Sequence, residues 1–249
     1  MKTYLITGGA QGIGQATVEL LLTNPDVALI VIDKQRTDFI DNCLAQYADR
    51  FSYYLQDIAE RENLSEVLKE IAQRRLNGIV NVAGEVYLEK WDEMKLATWD
   101  RTLAVNLTAP LQIVHELRNA LESNASIVNI ASTDGTCAGI VTIAYAASKA
   151  GLMNLTKSLG AVLGEKGIRV NAIAPGWVET KMTEGTLPDE SIELTPLKRN
   201  AKAQEVANLV EYLLSEKSSF ISGETIAIDG GLSTIDYTIF KEVQRSELF

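Results

Sequence analysis

The chain has 249 residues, 46% of them hydrophobic and 22% charged, which suits one large domain or two small ones with a full core. Its 23 basic side chains against 33 acidic ones leave a net charge of −10, arguing against nucleic acid or an anionic membrane surface as a partner, since both require a basic footprint. A single histidine, His115, excludes a multi-histidine metal site and makes any Ser-His-Asp triad depend on that one residue. No apolar run approaches the roughly 18 residues of a membrane span. Glycines break the first apolar run, so no signal peptide is expected. Cys43 and Cys137 cannot build a disulfide framework, and neither stands in a metal-ligand spacing. A reduced, soluble, cytoplasmic chain without a bound metal is the expectation.

The first predicted strand, 4–7, runs into Thr7-Gly8-Gly9-Ala10-Gln11-Gly12-Ile13-Gly14, and a helix pattern follows at 15–22. Glycines at such a junction allow a tight turn, let backbone N–H groups approach a pyrophosphate, and bring the helix close to the strand. The second strand, 28–32, ends at Asp33, whose carboxylate can accept hydrogen bonds from ribose hydroxyls and would repel a 2′-phosphate. Lys34 and Arg36 follow and leave room for a phosphate, whereas Gln11 supplies no base to the loop. NAD is favoured over NADP on these residues.

Further strands are predicted at 51–55, 78–82, 126–130, 169–174 and 225–228, and helices at 64–74, 99–121, 146–163 and 203–214. Several strands are almost continuously apolar, as strands buried on both faces should be. The alternation implies βαβ units, hence one α/β domain over 1–249: a doubly wound Rossmann-type fold with a seven-stranded, mostly parallel sheet and helices on both faces. Two segments stand outside the alternation, a loop from 177 to about 197 and a tail at 232–249. His115, among apolar neighbours in the 99–121 helix, reads as a packing or surface residue.

At the start of the 146–163 helix, Tyr145 and Lys149 are spaced i, i+4 and so share a face. A tyrosine titrates near pH 10 and is a poor base at neutral pH, but a neighbouring positive charge favours its phenolate. The spacing is not unique, because Tyr237 and Lys241 repeat it in the tail. That second pair lies past the last strand and has Glu224 where Tyr145 has Ser132, so it reads as coincidental.

The loop Thr7-Gly-x-x-x-Gly-x-Gly14, Ser132 placed 13 residues before Tyr145, and the Tyr145/Lys149 pair together resemble the short-chain dehydrogenase/reductase family, over about residues 1–231. The resemblance implies a tetrad of Asn106, Ser132, Tyr145 and Lys149, with Asn106 linking the lysine to solvent through a water. It implies dinucleotide contacts at Gly8, Gln11, Gly12, Ile13, Gly14 and Asp33, at Asp57 and Ile58 near the adenine, and at Asn81, Ala83 and Gly84. Tyr145, Lys149, Pro175, Gly176, Val178 and Thr180 would hold the nicotinamide end. Val82 stands where the family carries a second asparagine.

The activity implied is hydride transfer between a secondary alcohol or ketone and NAD, with Tyr145 exchanging the hydroxyl proton and Ser132 orienting that oxygen. The substrate pocket is expected from 134–143, 85–88 and 177–197, with Asp134 and Trp177 beside Ser132 and Tyr145. The segment 177–182 also resembles bacterial 3-oxoacyl-carrier-protein reductases, so an NADPH-dependent carbonyl reductase is the alternative. A dinucleotide-binding sensor or scaffold without catalysis is a third reading. Family members associate through long helices, so a homodimer or homotetramer is expected, with the apolar tail packed on a neighbouring subunit or bordering the site.

Overall fold

The computed structural model describes residues 1–185 and 190–245. The seven predicted strands are present as β1 (Lys2–Thr7), β2 (Val27–Asp33), β3 (Phe51–Leu55), β4 (Leu76–Asn81), β5 (Leu121–Ile130), β6 (Arg169–Pro175) and, late in the chain, β9 (Thr225–Ile228). They form one sheet in the order β3-β2-β1-β4-β5-β6-β9, and every pairing is parallel. Between them run α1 (Gly12–Leu22), α2 (Asp38–Gln46), α3 (Arg61–Ile71), α4 (Leu96–Leu103), α5 (Ala109–Leu117), α6 (Ile143–Leu163) and α8 (Ala203–Leu214).

Strand alternation sorts the core into two layers. Ile6, Leu29 and Val31 pack with Val18 and Leu21 of α1 and Val206 and Val210 of α8 on one face. Leu5, Ile30 and Ile32 pack with Leu64 and Leu68 of α3 and Ile113 and Leu117 of α5 on the other. Because both faces of β2 are covered, all seven of its residues are buried, which explains its unbroken apolar run. The strand order reverses at β1 and β4, and in such sheets ligands bind beyond the carboxyl ends of the strands at that switch point.

Four regions differ from the sequence expectation. The helix α2 was not anticipated, because its short sequence carries Asp38 and Asp41 and buries only Ile40 and Cys43. The predicted helix at 99–121 is interrupted by a π-helical turn, Ala104–Thr108, between α4 and α5. Pro110 explains the interruption: it has no N–H to give the Asn106 carbonyl, and the Ala109 N–H bonds Ala104 O instead. Helix gives way to strand before 121, since β5 begins at Leu121 and turns through Asn124, at φ +67°. Finally, the 177–197 loop contains β7 (Val178–Glu179), which pairs with β8 (Ala201–Lys202), and the short helix α7 (Glu190–Leu194). After β9 the tail forms a 3-10 turn and the helix α9 (Tyr237–Arg245).

Candidate active site

The carboxyl ends of β1, β2, β3 and β4 converge on one cleft. β1 ends in the buried Thr7, whose hydroxyl accepts the backbone N–H groups of Val82 and Ala83 and ties the glycine loop to the segment after β4. The chain then turns at Gly8, at φ +71°, where a Cβ would stand 2.7 Å from Ala83 Cα. Gly14 lets α1 sit on the loop, since a Cβ there would stand 1.9 Å from the Gly8 carbonyl oxygen. No side chain caps the N-terminus of α1, so its first-turn N–H groups are available to an anion at the cleft.

Of the sequence-predicted contacts, Gly8, Gln11, Gly12, Ile13, Asp33, Asp57, Ile58, Ala83, Gly84 and Thr180 line this cleft. Each Asp33 carboxylate oxygen accepts one backbone N–H, from Ala10 and from Gln35, both at 2.9 Å, which leaves lone pairs for further donors. Asn81 lies elsewhere: it is buried in the core, where its amide donates to Asn129 at 2.8 Å, because its position on β4 points it between sheet and helix. Val178 and Pro175 are likewise buried, and Gly14 packs behind the loop. Arg101 also lines the cleft and was not singled out in the sequence, and Glu85, expected in the substrate pocket with 85–88, lines this cleft instead. Their signal was a pair of ordinary charges 16 positions apart, which only the fold brings together.

A second cavity, of about 540 Å³, opens beside the first and is lined by Ser132, Asp134, Tyr145, Gly176 and Trp177. Thr136, Cys137, Thr142, Met182, Leu232, Ser233 and Tyr237 complete much of its wall. The tail therefore borders this cavity from within the same chain. The Tyr237 hydroxyl donates to the Leu232 carbonyl at 2.6 Å and is a wall residue, with no place beside the glycine loop.

Of the four predicted tetrad side chains, Ser132 and Tyr145 line the second cavity, while Lys149 and Asn106 are buried outside both linings. Ser132 follows β5 and caps a 3-10 turn by accepting the Asp134 N–H at 3.1 Å, which leaves its own proton to donate. Burial pushes the Tyr145 phenol up to about 12; a hydrogen bond from Ser132 lowers it and the charge of Asp134 raises it. The sequence suggested that Lys149 would do the lowering. Here the Lys149 ammonium lies 5.5 Å from the Tyr145 ring centre and donates to the Ile130 carbonyl at 2.7 Å, so Ser132 is the group that favours the phenolate. Burial brings Lys149 itself down to about 8. Asn106, fully buried on the π-helical turn, donates to the Glu85 carbonyl and accepts the Glu85 N–H, each at 2.9 Å, and also donates to Ser148 Oγ. Gly84 passes between: a Cβ there would be 3.4 Å from Asn106 Oδ1 and 3.5 Å from Lys149 Nζ.

Comparison with known proteins decides the family. A family model described as enoyl-(acyl carrier protein) reductase matches residues 8–233. The 3-oxoacyl-(acyl-carrier-protein) reductase FabG of Thermotoga maritima is 35% identical over 241 residues, covering 93% of this chain and 97% of that one. The chain belongs to the short-chain dehydrogenase/reductase family. A short-chain dehydrogenase family protein from Francisella tularensis superposes with a TM-score of 0.86 at 31% identity, covering 94% of this chain and all of that one. A putative NAD(P)-dependent gluconate 5-dehydrogenase from Beutenbergia cavernae, with bound NADP, gives 0.85 at 29% identity over 94% of this chain and 97% of that one.

The chain is thus an oxidoreductase of a family that binds a nicotinamide dinucleotide. Its cleft fits such a group. The uncapped α1 terminus suits the pyrophosphate, the loop offers bare backbone at Gly8 and Gly12, and Asp33 presents acceptor lone pairs. Among the described residues, no group of three or more histidines, cysteines and carboxylates is arranged to hold a metal. None of the described helices is long and apolar enough to cross a membrane.

Proposed function

We propose that this short-chain dehydrogenase/reductase interconverts a secondary alcohol and a ketone with NAD(H), using Tyr145 as the general acid and base. The observation that carries this reading is that Ser132 and Tyr145 line the second cavity together, with the buried Lys149 ammonium 5.5 Å from the Tyr145 ring centre. A dinucleotide held by the glycine loop and Asp33 would supply or accept the hydride through its nicotinamide.

The chain's own residues handle the proton. Near neutral pH the Tyr145 phenol is protonated, with its pKa at about 12. In reduction that proton passes to the carbonyl oxygen as negative charge develops there, while Ser132 steadies the same oxygen. In oxidation Tyr145 must first lose its proton to accept the one on the substrate hydroxyl, so that direction speeds up as pH rises. Lys149, still protonated at pH 7, is held by the Ile130 carbonyl 5.5 Å from the ring centre, so Ser132 remains the group that favours the ionised form. Asn106 fixes the segment from Gly84 to Glu85 that separates Lys149 from the cleft.

Asp33 supports NAD, because a carboxylate with lone pairs left to accept ribose hydroxyls also repels a 2′-phosphate. Asp134 and Trp177 are assigned to the substrate, in a cavity whose lining carries no lysine, arginine or histidine among the described residues. A small, uncharged, partly polar alcohol or ketone fits that lining. The name of the Thermotoga relative and the NADP bound in the Beutenbergia neighbour favour a second reading, an NADPH-dependent 3-oxoacyl-carrier-protein reductase. A homodimer or homotetramer in the cytoplasm belongs to the same proposal, supported by Leu111 on α5 and Val162 on α6, both apolar and exposed.

The test is turnover of a panel of small secondary alcohols with NAD, beside the Tyr145→Phe variant. Wild type is expected to produce NADH from at least one, and Tyr145→Phe to bind NADH as wild type does while losing at least about 100-fold in kcat. Wild-type kcat in Tyr145→Phe would sink the mechanism.

A further inference from the structure

Four charged side chains from four separate elements form one network at the rim of the first cleft. Glu85, after β4, accepts from Lys34 Nζ at 2.5 Å and from both Nε and Nη2 of Arg101 on α4, at 2.8 and 2.5 Å. Arg101 Nη2 also pairs with Asp57, after β3, at 2.8 Å. Glu85 is not free to drift, since Asn106 holds both its N–H and its carbonyl. Burial raises the Glu85 carboxyl, yet the hydrogen bonds from Arg101 and Lys34 outweigh it and bring the group to about 2, so it is charged at every working pH.

Lys34 adjoins Asp33, the residue positioned for the adenosine ribose, and both line the cleft. An unpaired lysine there would be a ready point charge for a 2′-phosphate. Arg36, two residues on, is paired with Asp41 at 2.7 Å, and Lys181 lines the cleft from the segment beside Thr180. We infer that Glu85 is a cofactor-selectivity residue: by sequestering Lys34 it denies a 2′-phosphate its cationic partner, so that exclusion of NADP is set by Glu85 together with Asp33. This rests on the NAD reading above. The charges agree with it. Asp33, Asp57 and Glu85 set three negative charges against Lys34 and Arg101, leaving the corner net negative toward a phosphate. Removing the Glu85 charge balances the corner and frees Lys34 to turn toward the ribose.

The experiment is a double-mutant cycle on binding, reading the ratio of the NADPH and NADH dissociation constants by fluorescence titration for wild type, Glu85→Gln, Lys34→Met and the double variant. The ratio is expected to favour NADH in wild type and to fall by about fivefold to tenfold in Glu85→Gln, a modest gain because Lys34 is half exposed and solvent screens it. Lys34→Met alone is expected to leave the ratio within about twofold, and in the double variant to cancel the gain. Glu85→Met keeps the side chain's length and carries the same expectation should Glu85→Gln fail to fold. A ratio that Glu85→Gln leaves unchanged overturns the inference, as does an equal effect of Lys34→Met in both backgrounds. A wild type that already prefers NADPH overturns the NAD reading itself, and with it the inference, whereas an NADH-selective wild type with an insensitive Glu85 overturns the inference alone.

Discussion

Lys149 is a buried ammonium whose charge works against stability, and that cost is measurable. Burial brings its pKa from the ordinary 10.5 to about 8. At about 1.36 kcal/mol per pH unit, holding the charge in the folded protein costs about 3 kcal/mol below pH 8. The folded pKa lies below the unfolded one, so the cost is full under pH 8 and disappears as pH rises toward 10.5. Wild type should therefore gain stability relative to Lys149→Met across that window, by about 2 kcal/mol between pH 7 and pH 9.5. Losing the hydrogen bond to the Ile130 carbonyl destabilises the variant by about 1–3 kcal/mol, but equally at every pH, so it drops out of the slope. The assay is urea unfolding of both proteins without dinucleotide at pH 7, 8.5 and 9.5. A stability difference that stays constant within about 0.5 kcal/mol would refute the desolvation argument. Lys149→Met should also lose turnover, which would separate the residue's role in chemistry from its role in folding.

Three further outcomes follow from the same geometry. Gly8→Ala places a Cβ 2.7 Å from backbone at φ +71°, and should cost at least about 2 kcal/mol, roughly 4–8 °C in Tm; an unchanged melting curve would show that the loop can relax. Asp134→Asn removes a charge that raises the Tyr145 pKa, so the rising limb of the oxidation rate should move to lower pH; a limb that stays put would remove Asp134 from the electrostatics of the site. Deleting residues 235–249 strips Tyr237 from the cavity wall, so KM for the alcohol should change while NADH affinity does not; unaltered kinetics would show that the tail is dispensable to the pocket.

The parts of this structure that were legible in the sequence are those whose physics is local or periodic. β2 announces burial on both faces through its unbroken apolar run, and the glycine loop announces close backbone approach because only glycine permits it at Gly8 and Gly14. Tyr145 and Lys149 fall on one helical face by spacing alone. What stayed hidden depends on contacts between distant segments. Nothing near Asn81 in sequence reveals that Asn129 and Thr156 will hold a buried amide chain with it. The π-helical turn follows from the conflict between Pro110 and a helix that must bury Asn106, and periodicity reads straight through it. Nothing in the sequence joins Lys34, Glu85, Arg101 and Asp57 into one network until the switch point of the sheet gathers them at one rim. Tyr237 reads as a coincidental partner of Lys241, yet it lines the second cavity.

The most direct test of the account is a fluorescence titration of the wild-type protein with NADH and with NADPH. Tight NADH and weak NADPH is the predicted result, and it would place the ribose carboxylate of Asp33 at the centre of selection. Tighter NADPH would contradict the proposed cofactor and bring the carbonyl-reductase reading forward, and binding of neither would contradict the proposed function of the cleft.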